Sequence, residues 1–220
     1  MNYIKLTTSS MIGEKLVMAT TGMVMMLFLA GHLVGNTLLF VGREEFNLYA
    51  DFLNSFKMVY LVEAGLMLVL VAHVWSAIRL TLANKRARPV GYVIKRKAIN
   101  STWMSSHMAH TGVVILLFLI MHIASMKLGP WDNEKIKHAD TLYDLVLKLF
   151  ADPIYSGIYL VCMILLGFHL HHAMKSSFIT LGVARKHRLD CYAKASLLYS
   201  LFISIGFSSF PVYFYILSII

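Results

Sequence analysis

Five stretches of this chain are each long and apolar enough to cross a bilayer, which narrows the fold before any other residue is read. A membrane-spanning helix needs about 20 consecutive, mostly apolar residues. The candidates run roughly over 16–41, 58–83, 104–126, 153–181 and 195–219. Of the 220 residues 58% are hydrophobic, and the mean hydropathy is +0.68, too apolar for a water-soluble domain. The expected fold class is all-α integral membrane. One membrane domain covers 1–220, with spans one to four forming a four-helix bundle and span five packed outside it. Span one is too long for a signal peptide and lacks an A-x-A-like cleavage site at its end, so it reads as a membrane helix.

Lysine and arginine set the expected orientation. Lys5 and Lys15 precede or open span one. Lys85, Arg86, Arg88, Lys95, Arg96 and Lys97 follow span two, and Arg185, Lys186, Arg188 and Lys194 follow span four. The opposite side holds most of the acids, among them Glu44, Glu45, Asp51, Asp132, Glu134, Asp140 and Asp144. The positive-inside rule then predicts a cytoplasmic N-terminus and a C-terminus outside. The net charge of +9 thus follows from topology, and nucleic acid is not an expected partner. The polar arm Met1 to Glu14 is expected along the cytoplasmic face. The stretch FNLYADFLNSF between spans one and two predicts a short amphipathic helix in the outer interface, and Asp140 to Phe150 predicts a surface helix before Pro153 opens span four.

Twelve residues occur twice. TGMVMMLFLAGH ends at His32 and TGVVILLFLIMH ends at His122, with seven of twelve positions identical. Two further spans carry histidines in loosely matched settings, AHVWSAIR around His73 and FHLHHAMK around His169. An imidazole in hydrocarbon is costly unless it is neutral and hydrogen-bonded or liganded. At about 1.5 Å rise per residue, His122 lies roughly 8 Å and His32 roughly 16 Å from the outer flanking charges. His73 and His169 each lie roughly 9 Å from the inner ones by the same rise. Depth and repeat both pair His32 with His122 and His73 with His169. Each pair supplies two neutral imidazoles from different helices, as a six-coordinate haem iron requires. Only Cys162 and Cys191 occur and there is no C-x-x-C-H, so the expected cofactors are two haem b groups held by ligation alone. Gly31, Gly35, Ala72 and Gly167 read as room for a flat macrocycle. Thr20, Thr21, Arg79, Ser105 and Lys175 are candidate propionate contacts on the inner side.

A lone membrane histidine is more often a packing residue or part of a proton path than a ligand. Four of them, on four spans and at two matched depths, favour haem. A haem-free transporter with a histidine proton relay stands as a rival. The Thr-Gly pairs read as helix-packing positions. His172, almost one turn beyond His169, is the rival ligand. His107 and His110 share one face near the inner end of span three, suited to a propionate, a quinone or interfacial solvation. His138 and His187 read as exposed.

At these residues the chain resembles the cytochrome b558-type membrane anchor subunit of succinate dehydrogenase and fumarate reductase, in its five-helix, dihaem form. The resemblance rests on SSMIGEKLVMATTG leading to GHLVGN, on FNLYADFLN, on EAGLMLVLVAHVWSAIRLTLANKRARP, on HTGVVILLFLIMH and on GFHLHHAMKSSFITLGV. It implies axial ligation by the same four histidines. His73 and His169 would serve a haem proximal to an iron–sulfur subunit, which carries a flavoprotein subunit, on the cytoplasmic face of a bacterial-type inner membrane. His32 and His122 would serve the distal haem, with menaquinone as the expected quinone. Some members have an acidic residue beyond span one tied to quinol chemistry. Asn54 stands there in this chain, with Asp51 one turn earlier as the candidate proton acceptor. A dihaem anchor of another respiratory dehydrogenase, such as a formate dehydrogenase or hydrogenase, is the alternative function.

Overall fold

The computed structural model describes residues 10–87, 103–128 and 140–220. Five helices among them are long and apolar enough to cross a membrane. Span one is Met11–Asn36, continued after a break at Thr37 by a short helix, Leu38–Val41. Span two is Met58–Arg86, span three Met108–Met126, span four Pro153–Thr180 and span five Leu189–Ile219. All regular structure among the described residues is helical. This is a multi-pass, all-α membrane protein. Much of the basic loop after span two, together with Lys5, Asp132, Glu134 and His138, lies outside the described residues.

The helix ends have local causes. Span one opens a turn earlier than its hydropathy predicts, because Ser10 caps it by accepting the Gly13 N–H at 3.0 Å and Glu14 favours the positive end of the helix. At the other end of the span, Gly42 has φ +156°, a conformation open to glycine, and turns the chain into the helix Arg43–Ser55. Asp152 caps span four, accepting from the N–H groups of Ile154 and Tyr155 at 2.8 and 3.0 Å, with Pro153 in the first turn. Span five begins six residues earlier than predicted, at Leu189.

Span one packs against spans two and four, span three against span four, and span four most extensively against span five. Span five is therefore no loose addition outside the bundle. Its Ile203, Phe207, Phe210 and Phe214 are buried with Phe150, Tyr159 and Met163 in the principal core. The Tyr199 hydroxyl donates to the Met26 carbonyl on span one at 2.5 Å. Ser204 Oγ donates to the Met163 carbonyl on span four at 2.8 Å. The outer faces stay apolar: Leu27, Leu68 and Ile154 are 73%, 71% and 72% exposed, which suits lipid and not water.

The helix Arg43–Ser55 lies where the amphipathic stretch predicts it. The second connecting helix, Leu142–Ala151, is more deeply engaged than a surface helix. Leu145, Val146, Leu149 and Phe150 are buried, and the helix packs on span five. Arg43 forms an ion pair with Asp144, and the Tyr143 N–H donates to Asn47 Oδ1 at 3.2 Å. These contacts tie the two connecting helices together at the bundle end remote from Ser10.

Candidate functional site

The structure brings His32 of span one and His122 of span three together, with ring centroids 6.1 Å apart and planes at 81°. Two metal–imidazole bonds of about 2 Å each, with the half-widths of two rings, give a centroid separation of roughly 6 Å. The spacing thus suits one metal atom held between the rings. The surroundings are aromatic. Phe28 stacks on His32 at 5.3 Å, Phe118 on His122 at 5.7 Å, and Tyr159 meets His122 edge-on at 6.3 Å. Phe207 of span five lies 5.7 Å from His32, a contact with no signal in the sequence. His122 Nδ1 is buried without a hydrogen-bond partner, which is costly for a nitrogen with nothing to bind. The Asn36 amide nitrogen donates to the His32 carbonyl at 2.7 Å and lies 3.3 and 3.4 Å from the two His32 ring nitrogens.

The second pair sits toward the opposite end. It comprises His73 of span two and His169 of span four. Each is met by a threonine of the sequence repeat. Thr21 Oγ1 is 3.1 Å from His73 Nδ1, and Thr111 Oγ1 is 3.2 Å from His169 Nδ1. A methyl placed on the neighbouring glycines, Gly22 and Gly112, would face His73 Cε1 at 3.4 Å and His169 Cε1 at 3.8 Å. The Thr-Gly pairs are thus imidazole contacts, where the sequence suggested helix packing and, for Thr21, a propionate contact. In each repeat copy Thr and His are eleven residues apart. That is close to three turns at about 3.6 residues each, so both side chains project from one helix face. One face thereby contributes a histidine to the first pair and a threonine to the second.

Other residues singled out by the sequence fall as follows. Arg79 Nη1 is 2.7 Å from Oε1 of the buried Glu14, an ion pair that the sequence reading missed because the partners are 65 residues apart. Thr20 Oγ1 bonds back to the Leu16 and Val17 carbonyls at 2.9 and 3.1 Å. Ser105 is half-buried in a short helix before span three, and Lys175 is exposed. His172 is half-buried. His107 and His110 lie with centroids 5.8 Å apart, and His187 is exposed. Asp51 is exposed on the helix Arg43–Ser55.

Two of the glycines expected to make room for a macrocycle serve helix contacts instead. A Cβ on Gly167 would meet Ser204 Cβ at 2.9 Å, and one on Gly35 would meet the Tyr49 hydroxyl at 2.5 Å. Gly31 has open space beside it and lines a cleft of about 540 Å³ with Val34, Thr37, Tyr49 and Phe202. An apolar cleft of about 330 Å³ separates spans two and three, lined by Leu70, Val74, Trp75, Leu116, Leu119 and Ile123.

Fold and histidine placement together define a class: a multi-pass all-α membrane protein with half-buried histidines on four of the five candidate spans among its described residues. Among the described residues no group of three or more His, Cys, Asp or Glu is placed to hold a metal ion. Over 171 residues, 76% of this chain and 79% of the relative, the chain is 23% identical to the succinate dehydrogenase cytochrome b558 subunit of Bacillus subtilis (strain 168). That similarity supports the family resemblance carried by the motifs. No family model matches the chain, and no solved structure matches it significantly.

Proposed function

We propose that the chain is the dihaem cytochrome b membrane subunit of a succinate:quinone oxidoreductase. In this reading it relays electrons between an iron–sulfur and flavoprotein pair on the cytoplasmic face and a membrane quinone, menaquinone by family resemblance. The observation that carries the reading is the placement of four histidines on four candidate membrane spans, with His32 beside His122 and with His73 and His169 each met by a threonine of the repeat. The named relative adds independent support.

His32 and His122 would hold the distal haem, and His73 and His169 the proximal one. Bound haem supplies reversible one-electron chemistry at its iron. The chain's own contribution is to present neutral imidazole nitrogens, exclude water with Phe28, Phe118, Tyr159 and Phe207, and set the separation of the pairs. Thr20, Thr21, Ser105, Arg79 and Lys175 lie toward the end proposed to face the cytoplasm, as propionate contacts would require. Asp51, on the helix at the other end, is the proposed proton acceptor for quinone. The protein thus sits in a bacterial-type inner membrane with its N-terminus cytoplasmic and its C-terminus outside.

Haem content of the purified protein by pyridine haemochrome tests the reading. About two haem b per chain are expected, with one lost in His32→Ala and the other in His73→Ala. One haem in the wild type, or losses that ignore the pairing, would overturn the ligand assignment. No haem at all would favour the histidine relay. In the intact complex, haem reduced by formate or hydrogen and not by succinate would assign the chain to another dehydrogenase.

A further inference from the structure

The two repeat threonines share a geometry that decides how their histidines are protonated. Thr21 Oγ1 lies 2.6 Å from the Val17 carbonyl and 3.2 Å from the Met18 carbonyl, as well as 3.1 Å from His73 Nδ1. Thr111 Oγ1 lies 3.2 and 3.1 Å from the His107 and Met108 carbonyls, and 3.2 Å from His169 Nδ1. A hydroxyl has one proton and two lone pairs, and a carbonyl can only accept. At Thr21 the 2.6 Å contact to the Val17 carbonyl takes the proton, so toward His73 the oxygen acts as an acceptor; at Thr111 the three contacts are alike in length, and its matching place in the repeat assigns it the same role. Nδ1 must then carry the proton, and the Nε2 lone pair is left facing away.

On this basis we infer that Thr21 and Thr111 are positioning residues, which hold His73 and His169 as Nδ1–H tautomers with Nε2 free to ligate iron. The inference rests on the haem assignment under Proposed function. It adds that the two copies of the repeat serve both sites at once. Each supplies a ligand at its histidine and a tautomer lock at its threonine, three helical turns away. The pair His32 and His122 has no such lock: His32 meets the Asn36 amide and His122 Nδ1 is unpartnered. The two sites are thus built unequally. A hydrogen bond from Nδ1–H to an acceptor makes the imidazole a stronger donor to its metal and favours the oxidised ion. The threonines therefore hold the potential of the His73–His169 haem below the value it would have without them.

The test is a redox titration with low-spin ferric EPR on the purified full chain carrying its haem. The samples are wild type, Thr21→Val/Thr111→Val, Thr21→Ser/Thr111→Ser, and His73→Ala as a marker of which haem is which. In the valine variant the haem that His73→Ala removes should shift to higher potential with an altered EPR signal, while the other haem stays unchanged. The serine variant should return both readouts to wild type. A valine variant with two haems at wild-type potential and EPR position overturns the inference and leaves the ligand assignment standing. If the valine variant loses that haem, the serine variant decides: retention at wild-type potential supports the inference, and loss overturns it. Retention of both haems in His73→Ala overturns the ligand assignment itself, and this inference with it.

Discussion

Arg79 Nη1 lies 2.7 Å from Glu14 Oε1, joining the first turn of span one to span two six residues beyond His73. The Glu14 side chain is 9% exposed and that of Arg79 is 43% exposed. Removal of the arginine therefore strands a nearly buried carboxylate, whereas joint removal of both charges does not. Because the guanidinium is well solvated, the penalty is discounted from the fully buried case. Arg79→Met should destabilise the protein by about 1–2 kcal/mol, and Glu14→Gln in the same chain should recover most of that. Unfolding midpoints in detergent for the two single variants and the double variant check the cycle. By contrast Lys127 and Glu63, paired at 2.6 Å but 50% and 42% exposed, should contribute less than about 1 kcal/mol.

Gly167 and Gly157 make an internally controlled comparison on span four. A Cβ on Gly167 would sit 2.9 Å from Ser204 Cβ, at the close approach to span five, while one on Gly157 meets nothing within 4 Å. Gly167→Ala should therefore cost about 1–3 kcal/mol by overpacking. Gly157→Ala should be neutral or slightly stabilising, as expected for a helical position with space. Thermal unfolding of both variants in one detergent would separate them, and equal midpoints would contradict the packing described.

The choice between His169 and His172 is testable in colour. Thr111 meets His169 at Nδ1, and His172, three residues further on, is half-buried. His169→Ala should lose one haem b per chain, and His172→Ala should retain two. The reverse result in the haemochrome spectrum would make His172 the ligand.

Asp51, the proposed proton acceptor for quinone, is exposed on the helix Arg43–Ser55. Asp51→Asn should lower the turnover of the full complex with a quinone by at least about a hundredfold, the low end of the effect of a positioned general base, with haem content unchanged. Unchanged quinone turnover at every pH tested would remove Asp51 from the mechanism.

Much of the architecture is legible in the residues because a bilayer imposes a local rule: each crossing needs an apolar run of a given length. That rule locates all five spans. It misplaces the starts of spans one and five, where Ser10 and the chain around Leu189 extend the helices beyond the apolar run. The connecting helix Arg43–Ser55 is legible for a similar reason, since its periodicity is local. The burial of Leu142–Ala151 is not, because it depends on span five lying alongside.

The intramembrane histidines stand out in the sequence by their cost in hydrocarbon, and the repeat marks two of them before any coordinate is known. Their surroundings do not stand out. Phe207 reaches His32 from 175 residues away, and nothing in its own apolar segment distinguishes it from Phe202, which faces outward at 54% exposure. Hydropathy and spacing determine which segments are apolar enough to cross the membrane and where each imidazole falls along its helix, since both are read from neighbours in the chain. Helix rotation and packing decide which face meets which. Only the tertiary structure therefore shows that Gly167 serves Ser204, and that Thr21 and Thr111 each meet a histidine on another span.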